Sequence, residues 1–114
     1  MTDHLQVTTQ DGIRTLTLNR PERRNALSQD LQADLTLALK AAEKDPDVRV
    51  VILTGSGEKI FCSGGDLSQM PGGDGFLAVH EGRYAFAELV LTLEGLRKPT
   101  LCRVNGHAFA GGMG

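Results

Sequence analysis

The chain has 114 residues, enough for one small domain, and its hydrophobic fraction of 40% is ordinary for a globular protein. The formal net charge of −2 gives no electrostatic reason to expect nucleic acid or an anionic membrane as a partner. The sequence has no run of about 18 apolar residues that could span a bilayer, and its first residues lack the apolar segment of a secretory signal. We therefore expect a cytoplasmic protein that binds neither nucleic acid nor membrane.

The two cysteines, Cys62 and Cys102, lie far apart in the sequence and form no CxxC pair. Such cysteines are typical of reduced, buried thiols in a cytoplasmic protein, although the sequence leaves a disulfide between them open. The three histidines, His4, His80 and His107, have no metal-ligand spacing, and we expect no metal site.

The chain begins with a predicted β-hairpin. Residues 5–9 alternate between apolar and polar types and predict a first strand, and residues 10–12 supply a turn. Residues 13–19 predict a second strand with Leu16 and Leu18 on one face.

The clearest amphipathic helix follows Ser28, which is a candidate N-cap. Apolar residues recur after it at the spacing of a helix, and Asp45-Pro46 is expected to end the helix. The predicted buried positions are Leu31, Leu35, Ala38, Leu39 and Ala42.

The second half predicts two buried strands, residues 48–54 and 100–104, separated by a helix over residues 76–96. The apolar positions of that helix are Leu77, Tyr84, Leu89 and Leu93. A short helix up to Met70, a flexible loop over residues 71–75 and a helix start within residues 108–114 complete the pattern. The order β-β-α-β-α-β indicates an α/β fold.

Two segments share one layout, in which a buried strand is followed by glycines that open a predicted helix. Residues 61–67 read Phe-Cys-Ser-Gly-Gly-Asp-Leu, and residues 105–112 read Asn-Gly-His-Ala-Phe-Ala-Gly-Gly. The start of a helix leaves backbone N–H groups unpaired and carries a partial positive charge. Two such segments facing each other could hold one carbonyl oxygen as an oxyanion hole. The spacing alone does not show that they meet.

Four pieces of the sequence resemble the enoyl-CoA hydratase/isomerase (crotonase) family in order and spacing. They are Asn-Arg-Pro…Asn-Ala-Leu at 19–27, Val-Ile-Leu-Thr-Gly at 51–55, the segment at 61–67, and Lys-Pro…Asn-Gly…Gly-Gly at 98–112. The resemblance implies a spiral of ββα units, usually assembled as trimers or pairs of trimers. Residues 1–114 would then be a single partial domain, truncated after the second glycine motif.

The resemblance also implies a substrate and a site. The family binds acyl thioesters of coenzyme A, and the N–H groups at the positions of Gly65 and Gly111 polarise the thioester carbonyl. Coenzyme A enters as part of the substrate, and no prosthetic group is expected. The residues implied to surround coenzyme A are Arg24, Ala26, Leu27, Ser63, Asp66 and Leu67.

The chain departs from the hydratases of the family at Gly114, the position of a catalytic glutamate. A second carboxylate would lie further along. We therefore expect the carbonyl-binding half of the site without the proton-transfer half, and a chain that is inactive by itself. The acyl group and the choice among hydration, isomerisation and related reactions stay open.

Simpler interpretations stand beside each assignment. Gly64-Gly65 could form only a tight turn, Gly111-Gly112 could serve only packing, and Arg24 could be a solvated charge. Asp66 could cap the next helix, and Cys62 could belong to the core. The corresponding alternatives for function are a non-catalytic acyl-CoA-binding module and an inactive remnant.

Overall fold

The structure, a computed structural model, describes residues 3–66 and 76–114, with residues 76–82 described by their backbone. In chain order the strands and helices are β1 (Leu5–Gln10), β2 (Ile13–Leu18), α1 (Gln29–Lys44), β3 (Val50–Gly55), β4 (Ile60–Cys62), α2 (Phe76–Gly95), β5 (Thr100–Arg103) and β6 (His107–Ala108). Short 3₁₀ turns cover Pro21–Arg23 and Ala110–Gly112. This confirms the predicted α/β order and adds two short strands, β4 and β6, that the sequence pattern did not separate.

The predicted hairpin is present. β1 pairs antiparallel with β2 from Leu5↔Leu18 to Gln10↔Ile13. Asp11 and Gly12 form its two-residue turn with φ of 54° and 81°, the left-handed values that match the twist of a hairpin. Leu16 and Leu18 are buried as predicted, but Val7 is 40% exposed because β1 forms the edge of the sheet and buries only Leu5.

The main sheet has the order β1-β2-β3-β5, and its β2–β3 and β3–β5 pairs are parallel. Residues 100–103 form a strand as predicted, but the prediction that this strand is buried was wrong. Every residue of β5 is exposed, and Leu101 is 58% exposed. Within the described part of the chain, β5 pairs only with β3 and forms the second edge of the sheet. The same position exposes Cys102, which was predicted to be buried. Both cysteines are free thiols.

Helix α1 buries one face against the sheet. The Ser28 hydroxyl accepts a hydrogen bond from the Leu31 N–H at 3.1 Å, as expected of an N-cap. All five predicted apolar positions of the helix are buried, and they pack against Leu16, Leu18 and Val51 of the sheet. At the other end, Lys98 Nζ donates to the carbonyls of Ala42 (2.7 Å) and Asp45 (2.5 Å), which ties the start of β5 to the end of α1.

Helix α2 packs on α1 through a narrower face than predicted. Leu89 is buried and Leu93 packs against the core, but Tyr84 is 64% exposed. Tyr84 precedes Leu89 by five residues, which places it about 140° around the helix, on the outer side. No helix in the described part of the chain is long and apolar enough to cross a membrane. Four predictions fall outside the described residues: the short helix up to Met70, the loop at 71–75, the contact of Leu67 with coenzyme A, and the side chain of Leu77.

Candidate carbonyl-binding site

Strands β4 and β6 bring the two glycine segments together. They pair in parallel with Ile60 opposite His107 and Cys62 opposite Ala108. The Phe109 N–H then donates to the Cys62 carbonyl at 3.0 Å. The two segments with a shared layout therefore meet, which their spacing in the sequence could not establish.

Glycine is required where these segments touch. Gly64 has a φ of +100°, and a Cβ there would lie 3.1 Å from the Phe109 carbonyl oxygen and 3.4 Å from the Gly111 nitrogen. A Cβ on Gly112 would overlap the Cys62 carbonyl. Turn and packing roles are thus present at Gly64 and Gly112, and they allow the backbones around Gly65 and Gly111 to approach each other.

The extended segment around Leu27 fixes the direction of the Gly65 N–H group. Leu27 N–H donates to the Gly64 carbonyl at 2.7 Å, and Asp66 N–H donates to the Leu27 carbonyl at 3.2 Å. These bonds form a parallel bridge between Leu27 and Gly65. Because alternate backbone groups of a strand point to opposite sides, the Gly65 N–H points away from Leu27. Gly65 is exposed, and its N–H makes no hydrogen bond to another described residue.

The Gly111 N–H belongs to a 3₁₀ turn, Ala110–Gly112, in place of the predicted helix start. The following N–H groups, those of Gly112 and Met113, donate back to Phe109 and Ala110. The Gly111 N–H makes no such bond within the described residues. Ala110 has a φ of +48°, which is rare outside glycine and costs on the order of 1–3 kcal/mol. Strain of this kind is concentrated at functional sites.

The described residues expected around coenzyme A lie in two segments, 24–27 and 63–66, which form one strip beside Gly65. The Ser63 N–H donates to the Arg24 carbonyl at 3.2 Å, and Leu27 bridges Gly65. Arg24 is exposed in a left-handed conformation, with a φ of 56°, whereas the side chains of Ala26 and Leu27 are buried. The contacts of these residues with coenzyme A stay a prediction.

Asp66 lies at the end of this strip in a buried ion pair. Its Oδ2 is 3.0 Å from Nη1 of Arg20, and the side chains are 7% and 8% exposed. Arg20 had no predicted role, and Asn25 was expected only as part of the segment along coenzyme A; both are buried, and both lie inside the Asn-Arg-Pro…Asn-Ala-Leu motif. The motif is the feature of the sequence that could have identified both residues as part of the site.

Cys62 belongs to the core, as expected. Burial raises the pKa of the Cys62 thiol, and a hydrogen bond from the Gly64 backbone N–H acts in the opposite direction. A thiol whose pKa is raised by burial is protonated at neutral pH and is a poor nucleophile. Within the described residues, no three His, Cys, Asp or Glu side chains are grouped so that they could hold a metal ion.

Comparison with known proteins identifies the family. The sequence profile described as "Enoyl-CoA hydratase/isomerase" matches residues 8–114. The chain is 39% identical over 98 residues to (E)-benzylidenesuccinyl-CoA hydratase of Thauera aromatica, covering 86% of this chain and 38% of the relative. It is 40% identical over 107 residues to 1,2-epoxyphenylacetyl-CoA isomerase of Escherichia coli K12, covering 89% and 39%.

The fold agrees with that assignment. A solved structure of Pseudomonas aeruginosa PA4980 superposes with a TM-score of 0.89 at 42% identity, covering 99% of this chain and 49% of the other. The chain thus spans about two fifths of the curated relatives and half of that structure. The profile match, the relatives and the fold agree with the motifs of the sequence, and the chain belongs to the enoyl-CoA hydratase/isomerase family.

Proposed function

We propose that the protein acts on an acyl thioester of coenzyme A and polarises the thioester carbonyl with the N–H groups of Gly65 and Gly111. The observation that carries the proposal is the contact between the two glycine segments. Each segment presents an N–H with no hydrogen-bond partner among the described residues. The names of the relatives, a hydratase and an isomerase of coenzyme A thioesters, support the substrate class.

The proposed role of the two N–H groups follows from where negative charge develops during the reaction. When a proton leaves the α-carbon of a thioester, or a nucleophile adds to the β-carbon of an enoyl thioester, negative charge collects on the carbonyl oxygen. Two backbone donors held in place stabilise that oxygen without reorganising during the reaction. Removing one donor from such a site typically costs ~10²–10³ in rate. The Leu27 bridge and the β4–β6 pair supply the rigidity that this role requires.

The coenzyme A moiety would lie along the strip of residues 24–27 and 63–66. Arg24 places an exposed guanidinium at one end of that strip, a group suited to phosphate. A homotrimer or a pair of trimers, and a cytoplasmic location, belong to the same proposal through the family.

Carbonyl polarisation can be measured directly with the coenzyme A thioester of 4-(dimethylamino)cinnamic acid. Its amine donates electron density toward the thioester carbonyl, so hydrogen bonds to that oxygen shift its absorbance to longer wavelength. Gly65→Pro removes the N–H, and Gly65→Ala retains it as the matched control. We expect the shift in the unchanged protein and in Gly65→Ala, and its loss in folded Gly65→Pro.

Two results would contradict the proposal. One is saturable binding of the probe without any shift, which would favour a non-catalytic acyl-CoA-binding module. The other is an unchanged shift in a Gly65→Pro protein that retains its circular dichroism spectrum.

A further inference from the structure

We propose that Arg20 is a positioning residue of the carbonyl site, because its ion pair with Asp66 fixes the direction of the Gly65 N–H. The inference rests on the proposed function, and it adds a residue that does not touch the substrate. Neither the composition of the chain nor the glycine pattern pointed to Arg20.

One nitrogen of Arg20 links both sides of the bridge that orients Gly65. Nη1 donates to the Asp66 carboxylate at 3.0 Å and to the Ala26 carbonyl at 2.8 Å. Asp66 follows Gly65 in the chain, and Ala26 precedes its bridge partner Leu27. A shift of the guanidinium would therefore move the two segments joined by the bridge relative to each other, and with them the Gly65 N–H.

The backbone of Arg20 is itself held in place, so the side chain extends from a fixed point. The Arg20 N–H donates to Oδ1 of Asn25 at 2.9 Å, and the Asn25 N–H donates to the Arg20 carbonyl at 2.8 Å. These two bonds close the loop from Arg20 to Asn25. Arg20 and Asn25 are both buried, which shields these two hydrogen bonds from water although residues 21–24 are exposed.

The energetics favour a role in geometry over a role in stability. Burying a guanidinium and a carboxylate has a large desolvation cost, and a buried pair often stabilises a fold no better than apolar side chains of similar size. Arg20 Nε is also buried and has no hydrogen-bond partner among the described residues. Arg20 Nη1 makes two hydrogen bonds while Nε makes none among these residues, so the ion pair contributes little net stability. Charge-assisted hydrogen bonds of this kind do fix the relative orientation of the groups they join.

The test compares two Arg–Asp pairs of the same chain. The probe is again the coenzyme A thioester of 4-(dimethylamino)cinnamic acid, at a saturating concentration, so that a change in affinity does not affect the shift in its absorbance. Arg20→Met breaks the buried pair. Arg14→Met is the matched control, because it breaks the more exposed pair of Arg14 with Asp45, whose length of 2.9 Å is close to the 3.0 Å of the Arg20–Asp66 pair. We expect the shift to fall by more than half in Arg20→Met, to stay unchanged in Arg14→Met, and to recover in part in Arg20→Lys, which restores a donor for Asp66.

Asp66→Asn provides a second test if Arg20→Met does not fold, because it keeps the size of the side chain and removes its charge. An unchanged shift in a folded Arg20→Met or Asp66→Asn protein would overturn the inference and leave the proposed function intact. A probe that binds the unchanged protein without any shift would instead overturn the proposed function, and the inference would fall with it.

Discussion

The side-chain amides of Asn25 and Asn105 donate to one carbonyl oxygen, that of Ile60, at 3.1 and 3.2 Å. Ile60 begins β4, which leads into the first glycine segment, and Asn105 precedes β6, which leads into the second. Asn25 lies in the strip expected to face coenzyme A. Three segments of the site therefore converge on a single acceptor, and we call Asn25, Asn105 and Ile60 the Ile60 clamp.

We expect Asn25→Asp to lower the free energy of unfolding by about 1–3 kcal/mol at neutral pH, as urea denaturation would measure. The aspartate keeps an acceptor for the Arg20 N–H but turns the donor that faces Ile60 into a second acceptor. The loss should shrink in acid, because a protonated carboxyl regains a donor. Asn19→Asp is the control, since the side-chain amide of Asn19 donates its hydrogen bond to the backbone carbonyl of Asp3 at the surface. An equal decrease in the free energy of unfolding in Asn25→Asp and Asn19→Asp would argue against the Ile60 clamp.

The parts of this fold that depend on interactions between neighbouring residues in the sequence were predictable. Ser28 and the apolar positions of α1 follow from capping and helical spacing, and the Asp11-Gly12 turn follows from left-handed backbone preference. The contacts of the clamp join residues that lie far apart in the sequence. β4 and β6 have three and two residues, too few for a periodic pattern. The family motifs contained Arg20, Asn25 and Asn105, but only the structure gives their partners.

Gly112→Ala should destabilise the chain by about 1–3 kcal/mol or more, because its methyl group would overlap the Cys62 carbonyl and separate β4 from β6. Gly95→Ala is the matched control. A Cβ on Gly95 meets nothing within 4 Å, and alanine is the better helix former. Urea denaturation of both variants measures the difference. A Gly112→Ala protein as stable as Gly95→Ala would show that the packing of the two segments is looser than the structure indicates.

The two cysteines should differ sharply in reactivity. Cys102 is exposed on β5, whereas Cys62 is almost completely buried. Burial raises the pKa of both thiols, so the difference in reactivity comes from the access of the reagent. Thiol reagents attack the thiolate, so Cys62 should react only when the structure opens. We expect Cys62 to react at least ~10²-fold more slowly than Cys102 at pH 8. Denaturant should abolish the difference, and Cys102→Ser should remove the fast phase. Two equally fast thiols in the native protein would contradict the core position of Cys62.

The chain should not hydrate an enoyl thioester, even if it binds and polarises one. Hydration needs an activated water and a proton donor, and general acid–base groups contribute ~10²–10⁴ each. The resemblance aligns Gly114 with the glutamate that serves hydratases in this role, and glycine has no side chain. We consider two carboxylates of the chain as replacements for it, Asp66 and Glu88. The first is paired with Arg20 in the interior, and the second pairs with Lys40 at 3.0 Å across α1 and α2.

The measurement is the loss of ultraviolet absorbance of a conjugated enoyl-CoA on adding purified chain at high concentration, and we expect no change beyond that in buffer. Gly65→Pro, purified in the same way, separates the possible sources of any activity. Hydration that persists in Gly65→Pro belongs to a host enzyme carried through purification. Hydration near the ~10 s⁻¹ of ordinary enzymes that disappears in Gly65→Pro would contradict the prediction. It would mean that a carboxylate of this chain leaves its ion pair to reach the substrate, and Asp66, adjacent to Gly65, would be the first to replace by asparagine.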